Sequence, residues 1–281
     1  MIIFPLIAVF AGAITIVLEK TILSKQKVDY RLFVVTLFLL LFLVSTFFAI
    51  FWGKISPSAL NTNYLWLLIG MVVVACGWNI LLYRGLQQEK VVEFELINML
   101  RPIAIILIAG IFLAAEKNLH TFLAAAIASG ALLVSHIRRH HLVFDRYSIG
   151  LLGFVLLAAI EAIFDRQLLE VYSPSALYAV RTGLVFLSLW LVFRPNFRRL
   201  TSQNILSIFI LAIIATSYMT FMFSGFKDFG VVFTTLILTL TPILIYFFTV
   251  VFLKEKLRKR VVLAAAIILA CIIYATLAVT K

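Results

Sequence analysis

Apolar residues run in long blocks along this chain instead of alternating with polar ones. Ten blocks follow one another, at 2–19, 31–52, 64–84, 91–114, 119–136, 147–169, 174–193, 204–224, 230–253 and 260–279. Each is about 20 residues, enough for a helix to cross a ~30 Å hydrocarbon core. Polar and charged residues collect in the short connections, and no segment is left over for a soluble domain. Only helices satisfy every backbone polar group inside lipid at this hydrophobicity, so the pattern predicts an all-α polytopic bundle of ten transmembrane helices. Composition agrees. The mean hydropathy is +1.15 and 64% of residues are hydrophobic, against roughly half in soluble domains. Met1-Ile2-Ile3-Phe4 enters the first block without a basic n-region or a cleavage pattern, so no cleaved signal peptide is expected.

The blocks repeat. Gly85 to Leu113 aligns without a gap onto Gly225 to Leu253, and 11 of the 29 positions are identical, among them Gly85/Gly225 and Pro102/Pro242. The register persists to Ala124-Ala125-Ala126-Ile127 over Ala264-Ala265-Ala266-Ile267. The chain therefore divides into a first five-helix half, residues 1–137, a linker, 138–146, and a second five-helix half, 147–281. An odd number of crossings per half makes the two halves inverted repeats. Such repeats in a membrane chain point to a carrier with its site at the repeat interface.

Charge changes the picture in two ways. A formal charge of +12 can signal a nucleic-acid partner, but in so apolar a chain it marks a membrane face, and no nucleic acid is expected. Odd-numbered loops hold 16 of the 24 Lys and Arg, whereas the even-numbered loops and the tail hold 5: Lys54, Lys117, Arg166, Lys227 and Lys281. The positive-inside rule then puts odd loops in the cytoplasm and both termini outside.

The remaining polar residues inside apolar blocks are the candidates for chemistry. Arg101 lies about ten residues into the fourth block, roughly 15 Å deep at ~1.5 Å per residue. An insertion cost of about 2.5–3.5 kcal/mol at the helix centre means such a guanidinium pairs or faces water. Glu93 offers a structural ion pair. A cargo anion is the other reading. Glu93, Glu95 and Asn98 share the fourth block with Arg101, while the ninth carries Thr235 and Thr241, so one wall of the expected cavity is ionic and the other hydroxyl-lined. Pro102 and Pro242 sit near the middles of those blocks and predict kinks with freed carbonyls.

Acid–base doublets, Glu19-Lys20 and Asp165-Arg166, close the first and sixth blocks and read as solvated interfacial pairs. Glu161 lies one turn deeper than Asp165, and two carboxylates that close favour proton uptake by one of them. Arg181, in the seventh block, is a partner for either. Trp78, Asn79 and Tyr83 on the third block, with Tyr178 and Tyr218, are cavity candidates. Trp52, Trp66 and Trp190 read as interface anchors. Cys76 and Cys271 lack metal or disulfide spacing and read as buried packing residues. The pair His136 and His140 is too small a ligand set for a metal. No cofactor is expected.

Ten helices in two halves, with Pro102 followed by Glu116 and Pro242 followed by Glu255 at the helix exits, resemble the EamA-like carriers of the drug/metabolite transporter superfamily. Lys20, Arg166 and Arg181, the last within Val180-Arg181-Thr182-Gly183, are similar to family positions too. Two features depart from the pattern. The usual Trp-Gly pair of the first helix is replaced by Ala11-Gly12-Ala13, and the family habit of cytoplasmic termini opposes the charge bias. The ionic residues of the fourth block are not part of the family pattern.

The resemblance implies a secondary transporter of small organic metabolites by alternating access, in the plasma (inner) membrane of a prokaryote. Its partners would be a small-molecule substrate, membrane lipid and a proton or other coupling ion, and its state monomer or homodimer. Arg101 with Glu93 and Glu95 makes an amino-acid-like zwitterion or an anion the expected cargo. Other readings are a flippase for lipid-linked or amphipathic compounds and, from another class, an intramembrane enzyme or a non-transporting membrane protein. The orientation is directly checkable: a periplasm-specific reporter fused after Lys281 should be active, and a cytoplasm-specific fluorescent reporter lighting up there would contradict the charge argument.

Overall fold

The computed structural model describes residues 3–25, 28–88, 97–113, 116, 118–136, 146–253 and 259–279. Among these the secondary structure is helical, apart from one isolated antiparallel bridge, Ile55 with Tyr172. The helices are α1 Ile3–Lys25, α2 Tyr30–Trp52, α3 Thr62–Gln88, α4 Leu100–Phe112, α5 Leu119–His136 and α6 Arg146–Leu168, followed by α7 Pro174–Phe193, α8 Ser202–Phe229, α9 Val231–Leu238, α10 Leu240–Leu253 and α11 Lys259–Val279. Seven spans among the described residues are long and apolar enough to cross a membrane, one of them running through α9 into α10, and α4 and α5 are shorter apolar helices. The chain is an integral, multi-pass membrane protein.

Helix starts follow local chemistry. Asp29 accepts the Arg31 N–H at 2.9 Å and opens α2, Thr201 accepts the Asn204 N–H at 3.2 Å and opens α8, and Ser173 precedes Pro174 at the start of α7. The ninth apolar block is two helices rather than one, because the helix breaks at Thr239. Pro242 is then the third residue of α10 and Pro102 the third residue of α4. The single-residue breaks at Met99 and Thr239 keep right-handed helical dihedrals, φ −68° and ψ −17° and φ −62° and ψ −13°, so the path continues as a kinked helix. Each lies three residues before a proline, which removes one backbone hydrogen bond and bends the helix there, as the sequence leads one to expect.

The two halves interleave. The most extensive contacts are α3 with α6, α2 with α7, α1 with α8 and α5 with α11, all between halves. The repeated glycines explain one such pair of contacts. A side chain at Gly85 of α3 would meet Leu151 of α6, its Cγ at 2.9 Å. One at Gly225 of α8 would meet Thr234 of α9 and Pro5 of α1, the latter at 2.9 Å. In lipid, helices associate by close van der Waals fit more than by hydrophobic exclusion, so small residues mark the contact lines. The same logic fits α5 against α11, where Ala124, Ala125 and Ala128 are buried with Ala264 and Ala275.

Outward surfaces are apolar, with Trp52, Trp66 and Trp190 exposed on them. Cys76 and Cys271 are free and half-buried, less enclosed than the composition argument expected. The packing argument is tested by stability. Gly225→Ala forces its methyl onto Pro5 and the buried Thr234 and should cost on the order of 1–3 kcal/mol, as overpacking does. Gly130→Ala, whose methyl meets nothing within 4 Å, should be neutral or stabilising in the same thermal-melt series in detergent.

Candidate functional site

Between the halves lies a cavity of two lobes, each of about 90 Å³. The lobes share Gly12, Ile16, Trp78, Asn98, Arg101, Tyr218 and Met219 as walls. One lobe is completed by Glu19, Asn79, Tyr83, Phe154, Tyr178 and Arg181. The other is completed by Glu161, Asp165, Pro102, Thr235, Thr241 and Pro242. Helices α1, α3 and α4 of the first half and α6 to α10 of the second bring these residues together. Gly12 is needed here: a methyl on it would press the Tyr218 ring at 2.9 Å.

The electrostatic centre is Glu161 of α6. Its carboxylate accepts the Arg181 Nε–H at 2.7 Å and the Trp78 indole N–H. Arg181 is 2% exposed, so this is a fully enclosed ion pair. Removing one member of such a pair leaves an uncompensated charge, which costs far more than the pair itself contributes. Trp78 also lies under two guanidinium groups, with Arg101 Cζ at 5.5 Å and Arg181 Cζ at 5.8 Å from its ring centroid. Phe154 is 5.8 Å from Arg101 Cζ. Stacking on two aromatic rings offsets part of the cost of placing Arg101 deep in the bundle. Arg101 Nε is buried and has no hydrogen-bond partner among the described residues.

The carboxylates differ in their partners. Glu19 accepts the Tyr83 O–H at 2.8 Å. Asp165, at 3% exposure, has an enclosed Oδ1 with no partner. The reading of the two acid–base doublets as solvated pairs is corrected by this. In both doublets the acid turns into the cavity, and the base beside it points about 100° away round the helix. Lys20 and Arg166 do not line the cavity. Arg166 Nε instead lies 3.9 Å from Glu116 Oε1. Of the other expected site residues, Trp78, Asn79, Tyr83, Asn98, Tyr218, Thr235, Thr241, Pro102 and Pro242 reach the cavity, whereas Glu93 and Glu95 lie outside the described residues. So do the His140 and Glu255 positions and the side chain of His136.

One end of the bundle, that of the even-numbered loops, is tied shut across the halves. The Ser56 N–H donates to Val171 O at 2.8 Å and the Ser173 N–H to Lys54 O at 2.8 Å. Lys54 N–H donates to Ser173 Oγ at 2.9 Å, and Tyr64 O–H donates to Glu170 at 3.2 Å. Glu116, just past α4, adds a charged tie. It accepts the Val231 and Val232 N–H groups at 2.7 and 3.1 Å and so caps α9, a favourable place for an anion. Gly230 makes room for it, with φ of +87° and the Glu116 carboxylate where a side chain would stand. Glu116 was visible in the sequence only as the acid that follows Pro102. Phe154 and the positive φ of Gly230 carried no signal at all.

Comparison with known proteins comes to bear on this geometry. Residues 146–277 match the EamA-like transporter family. No curated protein matches the chain. A solved structure described only as "Crystal structure of protein" superposes with a TM-score of 0.73 at 15% identity, over 98% of this chain and 96% of that one. At that identity the likeness is one of fold, and it extends the architecture over both halves.

The enclosed pair gives a sharp expectation. Arg181→Ala should destabilise the protein by about 3–5 kcal/mol through the stranded Glu161 charge. Adding Glu161→Leu to it should recover most of the loss. Thermal melts of the single and double variants measure this, and additive losses would contradict the pairing.

Proposed function

We propose, from the EamA-like transporter unit in residues 146–277, that the chain is a secondary carrier of small organic solutes in a prokaryotic plasma membrane. The observation that carries this reading is a charged cavity walled by both halves and closed off at one end by bonds between them. Transport by alternating access requires such a site and two sets of closures that form in turn. The halves are inverted repeats in this account. Support comes from the equivalent placing of Pro102 and Pro242 at helix starts and of Gly85 and Gly225 at interhelix contacts. A twofold exchange also maps the α3–α6 contact onto the α8–α1 contact.

Arg101 is the cargo's anchor. Its planar fork suits a carboxylate or phosphate, and its buried Nε has no hydrogen-bond partner among the described residues. Glu161 and Arg181 hold Trp78 in position under it. Asp165, enclosed in the second lobe, is the candidate for the coupling proton. Motion is allowed by the broken helix at Thr239, which joins α9, capped by Glu116, to α10.

The closure is testable on purified protein in proteoliposomes, with flux screened over amino acids, nucleosides, amines and phosphorylated metabolites. In a background without Cys76 and Cys271, the pair Ile55→Cys and Tyr172→Cys spans the antiparallel bridge between the halves, a geometry compatible with a disulfide. Oxidation should stop flux and reduction restore it. Flux that continues through the closed disulfide would contradict alternating access at this end. Arg101→Lys should weaken uptake and Arg101→Ala weaken it more, at unchanged expression.

A further inference from the structure

Glu19 was read from the sequence as half of a solvated doublet, yet it is a carboxylate 9% exposed, on α1, facing the same lobe as Arg101. We propose that Glu19, held by Tyr83, is an ammonium-binding subsite, so that the cargo is a zwitterion with its acidic group on Arg101 and its primary ammonium on Glu19. The proposal rests on the carrier reading above and adds the second contact point.

The charges around the cavity lead there. Among the described residues that line the two lobes, the carboxylates are Glu19, Glu161 and Asp165, and the guanidiniums are Arg101 and Arg181. Glu161 and Arg181 offset each other's charge at 2.7 Å, although Arg181 Nη2 has no hydrogen-bond partner among the described residues. Asp165 lines the second lobe and not the first. That leaves Glu19 and Arg101 as the opposite charges open to the first lobe. No ion pair within 4.0 Å joins them among the described residues, although each lines that lobe. A buried carboxylate and a half-buried guanidinium left apart on one cavity wall are each costly, and each is relieved by a counter-charge brought in by the occupant.

The ledger also discriminates between occupants. With Asp165 set aside as the proton carrier, the described lining balances Glu19 and Glu161 against Arg101 and Arg181. A plain organic anion would leave Glu19 without a counter-charge and make the site net negative. A plain amine would leave Arg101 without a counter-charge. A zwitterion leaves the total unchanged and satisfies both groups. Tyr83 fixes the carboxylate by donating its O–H to Oε1 at 2.8 Å. An ammonium has three donors for the remaining acceptor capacity and for Asn79 and Thr15, which line the same lobe. Around them Leu37, Phe38, Leu41 and Met219 offer an apolar wall for the body of the solute.

The test uses matched sets of three: a free amino acid, the acid lacking its amine and the amine lacking its carboxylate. Alanine, leucine and lysine each supply one set. Binding is read by thermal shift and flux in proteoliposomes, for the wild type, Glu19→Gln and Glu19→Asp. Glutamine keeps the acceptor for Tyr83, so the fold is retained while the charge is removed. At least one amino acid should bind the wild type about tenfold or more better than both of its truncated partners, the weight of one charged contact. Glu19→Gln should remove that preference and leave affinity for the des-amino acid unchanged or improved, and Glu19→Asp should retain part of it. The proposal is overturned if the des-amino acid binds the wild type as well as the parent does, if Glu19→Gln leaves the preference intact, or if no amino acid binds. Failure of the carrier reading looks different: binding would follow this pattern without flux.

Discussion

The structure depends on burying charge inside a lipid-embedded bundle, and the Glu161–Arg181 pair is where that constraint is met. A charge at membrane depth is tolerated when a partner and hydrogen bonds replace water. Here Arg181 of α7 meets Glu161 of α6, and Trp78 of α3 donates to the same carboxylate. Three helices from both halves are thereby fixed at one point. Arg101 on a fourth helix then rests on Trp78 and Phe154 with no carboxylate within ion-pair reach among the described residues. One satisfied pair therefore creates the setting for groups that are not satisfied, and those are the ones open to an occupant.

The same economy shows at the closed end. Ser173 both caps α7 and accepts a hydrogen bond from Lys54 of the other half. Glu116 caps α9 while lying near Arg166, the residue next to Asp165 in the cavity wall. A shift of α6 on occupancy would therefore reach the closure through adjacent residues of a single helix. The ties are individually modest, since hydrogen bonds of this kind contribute about 0.5–1.5 kcal/mol each.

Much of this was legible in the sequence, for physical reasons. Lipid admits few backbone solutions, so ten apolar blocks foretold a helical bundle, and a repeated Gly and Pro pointed to the two halves on which the proposed carrier reading rests. The cavity residues Trp78, Asn79, Tyr83, Arg101, Glu161 and Arg181 stood out because polar groups at membrane depth need a reason. Which charge meets which was legible only in part: Arg181 offered itself to Glu161 or Asp165, and it meets Glu161. Pairing depends on helix rotation, and the acid–base doublets read as surface pairs until α1 and α6 were seen to turn Glu19 and Asp165 inward. The prolines were the better guide: Pro102 and Pro242 each follow by three residues a one-residue break at Met99 or Thr239 that keeps helical dihedrals.

The central claim is that both halves wall one cavity that is shut at the even-loop end in this conformation. Access of a membrane-impermeant thiol reagent to Thr235→Cys, in a background lacking Cys76 and Cys271, tests it most directly. In oriented vesicles without cargo, the account predicts labelling from the odd-loop side, blocked by a transported solute, and none from the even-loop side. Labelling from the even-loop side alone, or from neither side, would contradict it.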